Sequence, residues 1–322
     1  MNNEQLRIIY VFTDLILPLI CGYFFHKKHI LSDHTNTILI KFNIIVILML
    51  LAIFSFWTLP LTLNMLWLPM FGILYTIVPG LIAAFTFGKR FTNYLDRGAY
   101  IITCMLSNIG TLGGLCAFIL YGEPGFAYVQ LVATPQNILL VVLAFPIAQY
   151  FKDKQKAAEA KTKLRLSIRE MFFTVNQLPF VGMLIGISLH QSGINRPDCI
   201  SNFFPYLVHI SSWISLLPVG FLINFADAGK CYRQILSMLP IRFIIVPLIF
   251  FTLAKSLYAE QTIIAVLLLI ALTPSAINAV LTARLYQLNI SITTAAFIMT
   301  TTIFIVGVFP LLFLYIKTGG QL

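Results

Sequence analysis

Polar residues divide this chain into ten apolar stretches: 8 to 25, 37 to 59, 65 to 87, 100 to 120, 127 to 150, 172 to 190, 203 to 225, 235 to 254, 262 to 286 and 292 to 316. An α-helix needs about 20 mostly apolar residues to cross the hydrocarbon core of a bilayer. The pattern therefore predicts ten transmembrane helices, numbered here as spans 1 to 10, and leaves almost nothing for a soluble domain. The first stretch holds Asp14, lacks a small-x-small cleavage signature and runs directly into GYFFHKKHILSD, so it reads as a span and not as a signal peptide.

Composition agrees with a bilayer as solvent. Hydrophobic residues make up 59% of the chain and charged residues 10%, with a mean hydropathy of +0.91, far from the roughly 25% charged residues of soluble domains. A net charge of +10 would suggest nucleic acid in a soluble protein, but here the cations sit in particular loops. Lys27 and Lys28 follow span 1, Lys89, Arg90 and Arg97 follow span 3, a run from Lys152 to Arg169 follows span 5, and Lys230 and Arg233 follow span 7. The opposite side holds only Arg7, Arg196, Lys255 and Lys317. The positive-inside rule makes the odd-numbered loops cytoplasmic and places both termini outside. The lipid bilayer, and no nucleic acid, is the expected partner. Cys21, Cys104, Cys116, Cys199 and Cys231 show no CxxC spacing, so neither a metal site nor a disulfide framework is expected.

The chain echoes itself at about half its length. Gly22, His26 and Ile30 match Gly186, His190 and Ile194 at an offset of 164, as Phe145-Pro146 match Phe309-Pro310, while Tyr121 matches Tyr286 at 165. Five spans per half is an odd number, so the second copy would enter the membrane from the opposite side, giving an inverted repeat. The expected organisation is a first five-helix repeat over 1–150, a basic cytoplasmic linker over 151–170 and a second, inverted repeat over 171–322.

Two spans carry unusual chemistry. Span 4 contains SNIGTLGG (Ser107 to Gly114) and span 9 contains TPSAIN (Thr273 to Asn278). Gly110, Gly113 and Gly114 loosen one helix, and Pro274 removes a backbone donor from the other, so either ladder of hydrogen bonds can open. Freed backbone groups at bilayer depth are tolerated only inside protein or beside a wet cavity, where half-helix ends offer partial charges to a ligand. Asn108, Asn278 and Ser275 add polar side chains. Taken singly, a packing face in span 4 and an ordinary proline kink in span 9 explain the same residues; their occurrence at corresponding places in the two halves favours a transporter site.

At these motifs the chain resembles the auxin efflux carrier family, bacterial permeases related to plant PIN-type auxin transporters. GYFFHKKHILSD (Gly22 to Asp33) is similar to the family's pattern after span 1. Asn108, Gly110 and Gly113 match NxGxxGxPL, with Leu115 standing where the family has proline. Pro274, Asn278, Arg284 and Tyr286 match its span 9 pattern, while NQLPFVGMLIGISLHQSGI and SLLPVGFLINF resemble spans 6 and 7. The resemblance implies an all-α fold of ten transmembrane helices in two inverted five-helix repeats, with broken helices 4 and 9 crossing at a site for small organic anions such as malate, malonate or auxin-like weak acids. It implies no cofactor and no catalysis.

The remaining polar residues within spans carry two readings each. Arg242, between Pro240 and Pro247, either pairs with an anionic substrate or snorkels to the cytoplasmic interface. Arg284 and Lys41 read as interface anchors. Asp14 is a candidate to carry a coupling proton, or else sits in a wet outer vestibule. Gln136 and Asn137, beside Pro135 in span 5, either line the pathway or bond between helices. Thr300 to Thr302 read as bonding back to their own helix, and Asp227 carries no assigned role. A sodium-coupled symporter of the bile-acid type would need acidic ligands near the crossover that spans 3, 4, 8 and 9 lack. A membrane enzyme would need catalytic groups that HKKH, at His26 to His29, does not supply, and a receptor or scaffold would not require two broken helices. The sequence leaves open the substrate, the direction of transport, the coupling ion and a homodimeric assembly.

Overall fold

The computed structural model describes residues 9–59, 63–159, 178–221 and 231–317. Most of the basic linker, the first residues of span 6, Arg7, Asp227 and Lys230 lie outside the described residues. The described chain is almost entirely helical, and its only extended pairing is an isolated antiparallel bridge between Ser107 and Ser275. The helices used below are α1 (Leu17–Lys27), α2 (Asp33–Phe42), α3 (Leu48–Thr58), α4 (Trp67–Phe85), α5 (Tyr94–Met105), α6 (Gly114–Leu139), α7 (Phe145–Glu159), α8 (Leu178–Gln191), α9 (Asp198–Phe221), α10 (Val246–Leu257), α11 (Gln261–Ala271), α12 (Ile277–Tyr286), α13 (Ile290–Ile303) and α14 (Phe309–Lys317).

Four helical runs among the described residues are long and apolar enough to cross a membrane: Trp67–Phe85, Ile109–Lys156, Cys231–Leu257 and Ile290–Ile316. The second is not one straight rod. Gly122, at φ 69° and ψ −153°, turns the chain inside α6, a conformation only glycine adopts readily. Shorter apolar helices cover Ile45–Thr58, Val181–Gln191 and Gln261–Ala271. Large apolar side chains are left uncovered along the helices, Val306 at 74% exposure and Leu311 at 69% among them, as befits a lipid-facing surface.

The chain forms two compact units. Unit 1 comprises Met1–Leu66, Gly110–Thr134 and Val175–Ile223; unit 2 comprises Trp67–Ile109, Pro135–Thr174 and Asn224–Leu322. Span 4 thus passes from one unit to the other between Ile109 and Gly110.

In unit 1, glycines let helix backbones approach closely. A Cβ on Gly186 would lie 2.5 Å from the Ile53 carbonyl and one on Gly182 2.5 Å from the Met49 carbonyl, so α8 rides directly on α3. A Cβ on Gly22 would collide with the Leu217 carbonyl, so α1 rides on α9 in the same way. One helical turn further on, His190 Nδ1 donates to the Trp57 carbonyl at 3.0 Å and His26 Nδ1 to the Phe221 carbonyl at 2.5 Å. His26 therefore belongs to the last turn of α1 and not to the loop after it. Each contact maps onto the other by 164 residues: Gly22 to Gly186, His26 to His190, Ile53 to Leu217 and Trp57 to Phe221. Just before the N-terminus of α9, Arg196 makes a two-pronged ion pair with Glu123, at 2.5 and 3.0 Å, and donates to the Phe54 carbonyl at 2.8 Å.

Unit 2 holds α4, α5, α7 and α10 to α14. α5 begins at Tyr94, earlier than the apolar pattern suggests, because Asn93 caps it through a bond from Leu95 N at 2.8 Å and Asp96 suits the positive end of the helix. Asn289 caps α13 in the same manner and donates to Asp96 Oδ1 at 2.7 Å, joining the two helix starts.

Candidate functional site

Both unwound segments of unit 2 lie in the middle of otherwise apolar helices. α5 stops at Met105, and Leu106 turns extended at φ −98°, ψ 114°. α11 stops at Ala271, and the chain is extended again at Ala276, φ −79° and ψ 150°, before α12 starts. A break at bilayer depth strands peptide groups that no lipid can satisfy. Here each segment satisfies the other: Asn108 N donates to the Pro274 carbonyl and Ala276 N to the Leu106 carbonyl, both at 2.8 Å. The two segments cross antiparallel with Ser107 opposite Ser275. Pro274 has no N–H to strand, and Ser275 N donates to Thr300 Oγ1 at 3.1 Å. Thr300 in turn donates to the Ala296 carbonyl at 2.7 Å, so it bonds within its own helix and also closes the break.

The carbonyls at the end of each half-helix receive a side-chain donor. Arg242 Nη2 reaches the Thr103, Cys104 and Leu106 carbonyls at 2.9, 3.0 and 3.4 Å, and Nη1 donates to the Ser107 hydroxyl. On the other half-helix, the Tyr75 hydroxyl donates to the Leu267 carbonyl at 2.6 Å. Leu267 follows Thr103 by 164 residues; one of these carbonyls is held by a cation and the other by a neutral hydroxyl. Arg242 is 2% exposed and does not reach an interface, which removes the snorkelling reading. Arginine suits the place because its donors span several acceptors at once, and a positive charge suits the negative end of a helix. The ion pairs among the described residues are Arg196 with Glu123 and His209 with Asp14. The charge of Arg242 is therefore not neutralised by a carboxylate there.

Of the residues singled out from the sequence, Asn108, Pro274, Ser275 and Arg242 come together at this crossover. Asn108 is buried, and Asn278 is half-buried in the first turn of α12, where the first amides of the helix carry partial positive charge. Gly110, Gly113 and Gly114 follow the break instead of forming it, and they open unit 1's share of span 4. The freed Gly110 carbonyl accepts from Gln130 Nε2 at 3.2 Å. Gln136 is buried with no hydrogen-bond partner for Nε2 among the described residues, while Asn137 is half-buried. Beside Gly110 and Thr111, unit 1 has a cavity of ≈ 10 Å³ bordered by Ser211, Ser212 and Ser215, about the room for one water.

Asp14 is 4% exposed, so it does not sit in an open vestibule. Its Oδ2 accepts from His209 Nδ1 at 2.5 Å, Tyr10 packs on the imidazole at 4.2 Å between centroids, and Phe118 meets it edge-on at 6.2 Å. The sequence reading passed over His209, Tyr75 and Gln130. Each is a polar side chain inside an apolar run, the same signal that identified Asp14 and Arg242.

Two unwound segments bonded to each other inside an apolar helical bundle, beside a buried cation, define a multi-pass membrane transport protein. The family described as membrane transport protein, the auxin efflux carrier family, matches residues 10–313, and the chain belongs to it. No curated protein matches the chain.

Proposed function

We propose that this protein is a secondary permease for small organic anions such as malate, malonate or auxin-like weak acids, working by alternating access around the crossover of spans 4 and 9. The observation that carries the proposal is Arg242, a buried guanidinium spent on half-helix carbonyls with no carboxylate beside it among the described residues. Its field, together with the amide end of α12, favours an anion next to Asn108 and Asn278. Asn108, Asn278, Ser275 and Pro274 form the substrate side of the crossover. Gly110, Gly113, Gly114, Gln136 and Asn137 complete the proposed set of substrate-binding residues.

The architecture proposed with it is ten spans in two inverted five-helix repeats, in a bacterial inner membrane with both termini outside. Support for the repeat comes from the paired contacts at an offset of 164: Gly22 and His26 on α9, Gly186 and His190 on α3, and donors on Thr103 and Leu267. Asp14, buried against His209, is the place where a coupling proton would be held.

The test is flux of labelled malate, malonate and indole-acetate in proteoliposomes for the wild type and for Asn108→Ala with Asn278→Ala. Flux of at least one anion, lost in a double variant that still folds, is the expected result. Equal flux in both proteins contradicts the site.

A further inference from the structure

A second candidate binding site lies in unit 2, and none of the crossover residues lines it. A cavity of ≈ 260 Å³ is bordered by Arg90, Thr92, Asp96, Arg233, Gln234 and Ser237 over the rings of Phe87 and Phe91. It joins the loop after span 3 to the start of span 8, both on the side that the loop charges assign to the cytoplasm. Arg90 is stacked on Phe87 at 4.7 Å, and Arg233 Nε donates to the Tyr232 hydroxyl at 3.1 Å, so each guanidinium is oriented by an aromatic neighbour. Neither arginine forms an ion pair among the described residues. The one acid in the wall, Asp96, accepts from Asn289 at 2.7 Å. Ser237 exchanges a hydrogen bond with the Tyr100 hydroxyl at 3.0 Å, which fixes the floor of the cavity to α5.

Two planar donor forks, accompanied by hydroxyl and amide groups in the same wall, suit the oxygens of a phosphate and disfavour a cation or an apolar ligand. The volume exceeds that of a phosphate alone and leaves room for what the phosphate is attached to. We propose that this cavity binds a phosphate-bearing anion, supplied either by the headgroup of an anionic phospholipid or by free phosphate. Basic pockets between helices on the cytoplasmic side suit lipid headgroups. The site does not depend on what crosses at spans 4 and 9.

Thermal unfolding distinguishes the two sources. In one arm, detergent-purified protein is titrated with inorganic phosphate at constant ionic strength. In the other, nanodiscs of phosphatidylcholine are compared with nanodiscs containing phosphatidylglycerol. The expected result is protection of the wild type in at least one arm, with apparent affinity roughly 25-fold weaker in Arg90→Gln with Arg233→Gln, about fivefold per cation near a membrane surface. Thr92→Glu, which keeps both arginines and puts a negative charge at the mouth, weakens it as well, whereas Lys27→Gln with Lys28→Gln leaves it intact. Protection by phosphatidylglycerol alone assigns the site to a headgroup, and protection by phosphate assigns it to the free anion. Protection in neither arm, protection unchanged in the arginine variant, or equal loss in the lysine control overturns the proposal.

Discussion

Arg242 bears directly on whether the break in span 4 can exist. Three carbonyls and a hydroxyl accept from one guanidinium in a place water does not reach. Lysine keeps the charge but offers a compact ammonium that cannot span those acceptors. Arg242→Lys is expected to lower stability by about 1.5–3 kcal/mol, the usual range for hydrogen bonds to a charged group. Tyr75→Phe, which removes a neutral donor from the Leu267 carbonyl, should cost about 1 kcal/mol. Denaturant titration in mild detergent checks the order, and a larger loss in the tyrosine variant would contradict this account. The Asp14–His209 pair makes a separate claim. The imidazole of His209 is faced by Asp14, Tyr10 and Phe118. If the pair holds a coupling proton, Asp14→Asn and His209→Gln each uncouple flux from an imposed proton gradient; flux that still follows the gradient in both variants rules the pair out. At this scale the sequence revealed that Arg242 and Asp14 sit inside spans, which is unusual enough to read. It did not reveal their partners, because carbonyls freed by a break and a histidine 195 positions away leave no local pattern.

Among the elements, the packing of α8 on α3 and of α1 on α9 depends on glycines whose missing side chains let carbonyls in. Gly186→Val puts atoms where the Ile53 carbonyl lies and should destabilise by about 1–3 kcal/mol, the usual range for overpacking. Gly307→Ala is the control: nothing lies within 4 Å of its added Cβ, and alanine is the better helix former by up to about 1 kcal/mol. Similar melting for the two variants would contradict the close approach. The crossover permits a direct geometric check. Ser107 and Ser275 face each other at a non-hydrogen-bonded position, where Cα atoms of antiparallel segments lie about 4.5 Å apart. In a protein with its native cysteines replaced, Ser107→Cys and Ser275→Cys should form a disulfide under mild oxidation in the membrane, and free thiols after oxidation would show that the segments do not meet. The glycines of span 4 pointed to the right helix but to a position two or more residues late. The break falls at Leu106 to Asn108, because what permits it is the partner segment and not local flexibility. Leu115, standing in place of the family's proline, is buried beyond the break in unit 1 and leaves it intact.

For the molecule as a whole, the apolar pattern anticipated a helical membrane protein and the motifs anticipated its family, since bilayer thickness and a few glycine, proline and asparagine positions are written directly in the chain. The division into two compact units was not legible. Each unit draws helices from both halves of the chain, and span 4 changes unit at Ile109. Contacts between residues over a hundred positions apart leave little trace in one sequence beyond the faint match at 164. The central claim, that an anion moves through the crossover, is tested most directly by charge movement. Proteoliposomes on a solid-supported membrane are challenged with malate, malonate and indole-acetate, and the current of the wild type is compared with that of Asn108→Ala with Asn278→Ala. The account predicts a current carrying negative charge with at least one anion, abolished in the double variant. Currents of equal size and sign in both proteins would contradict it.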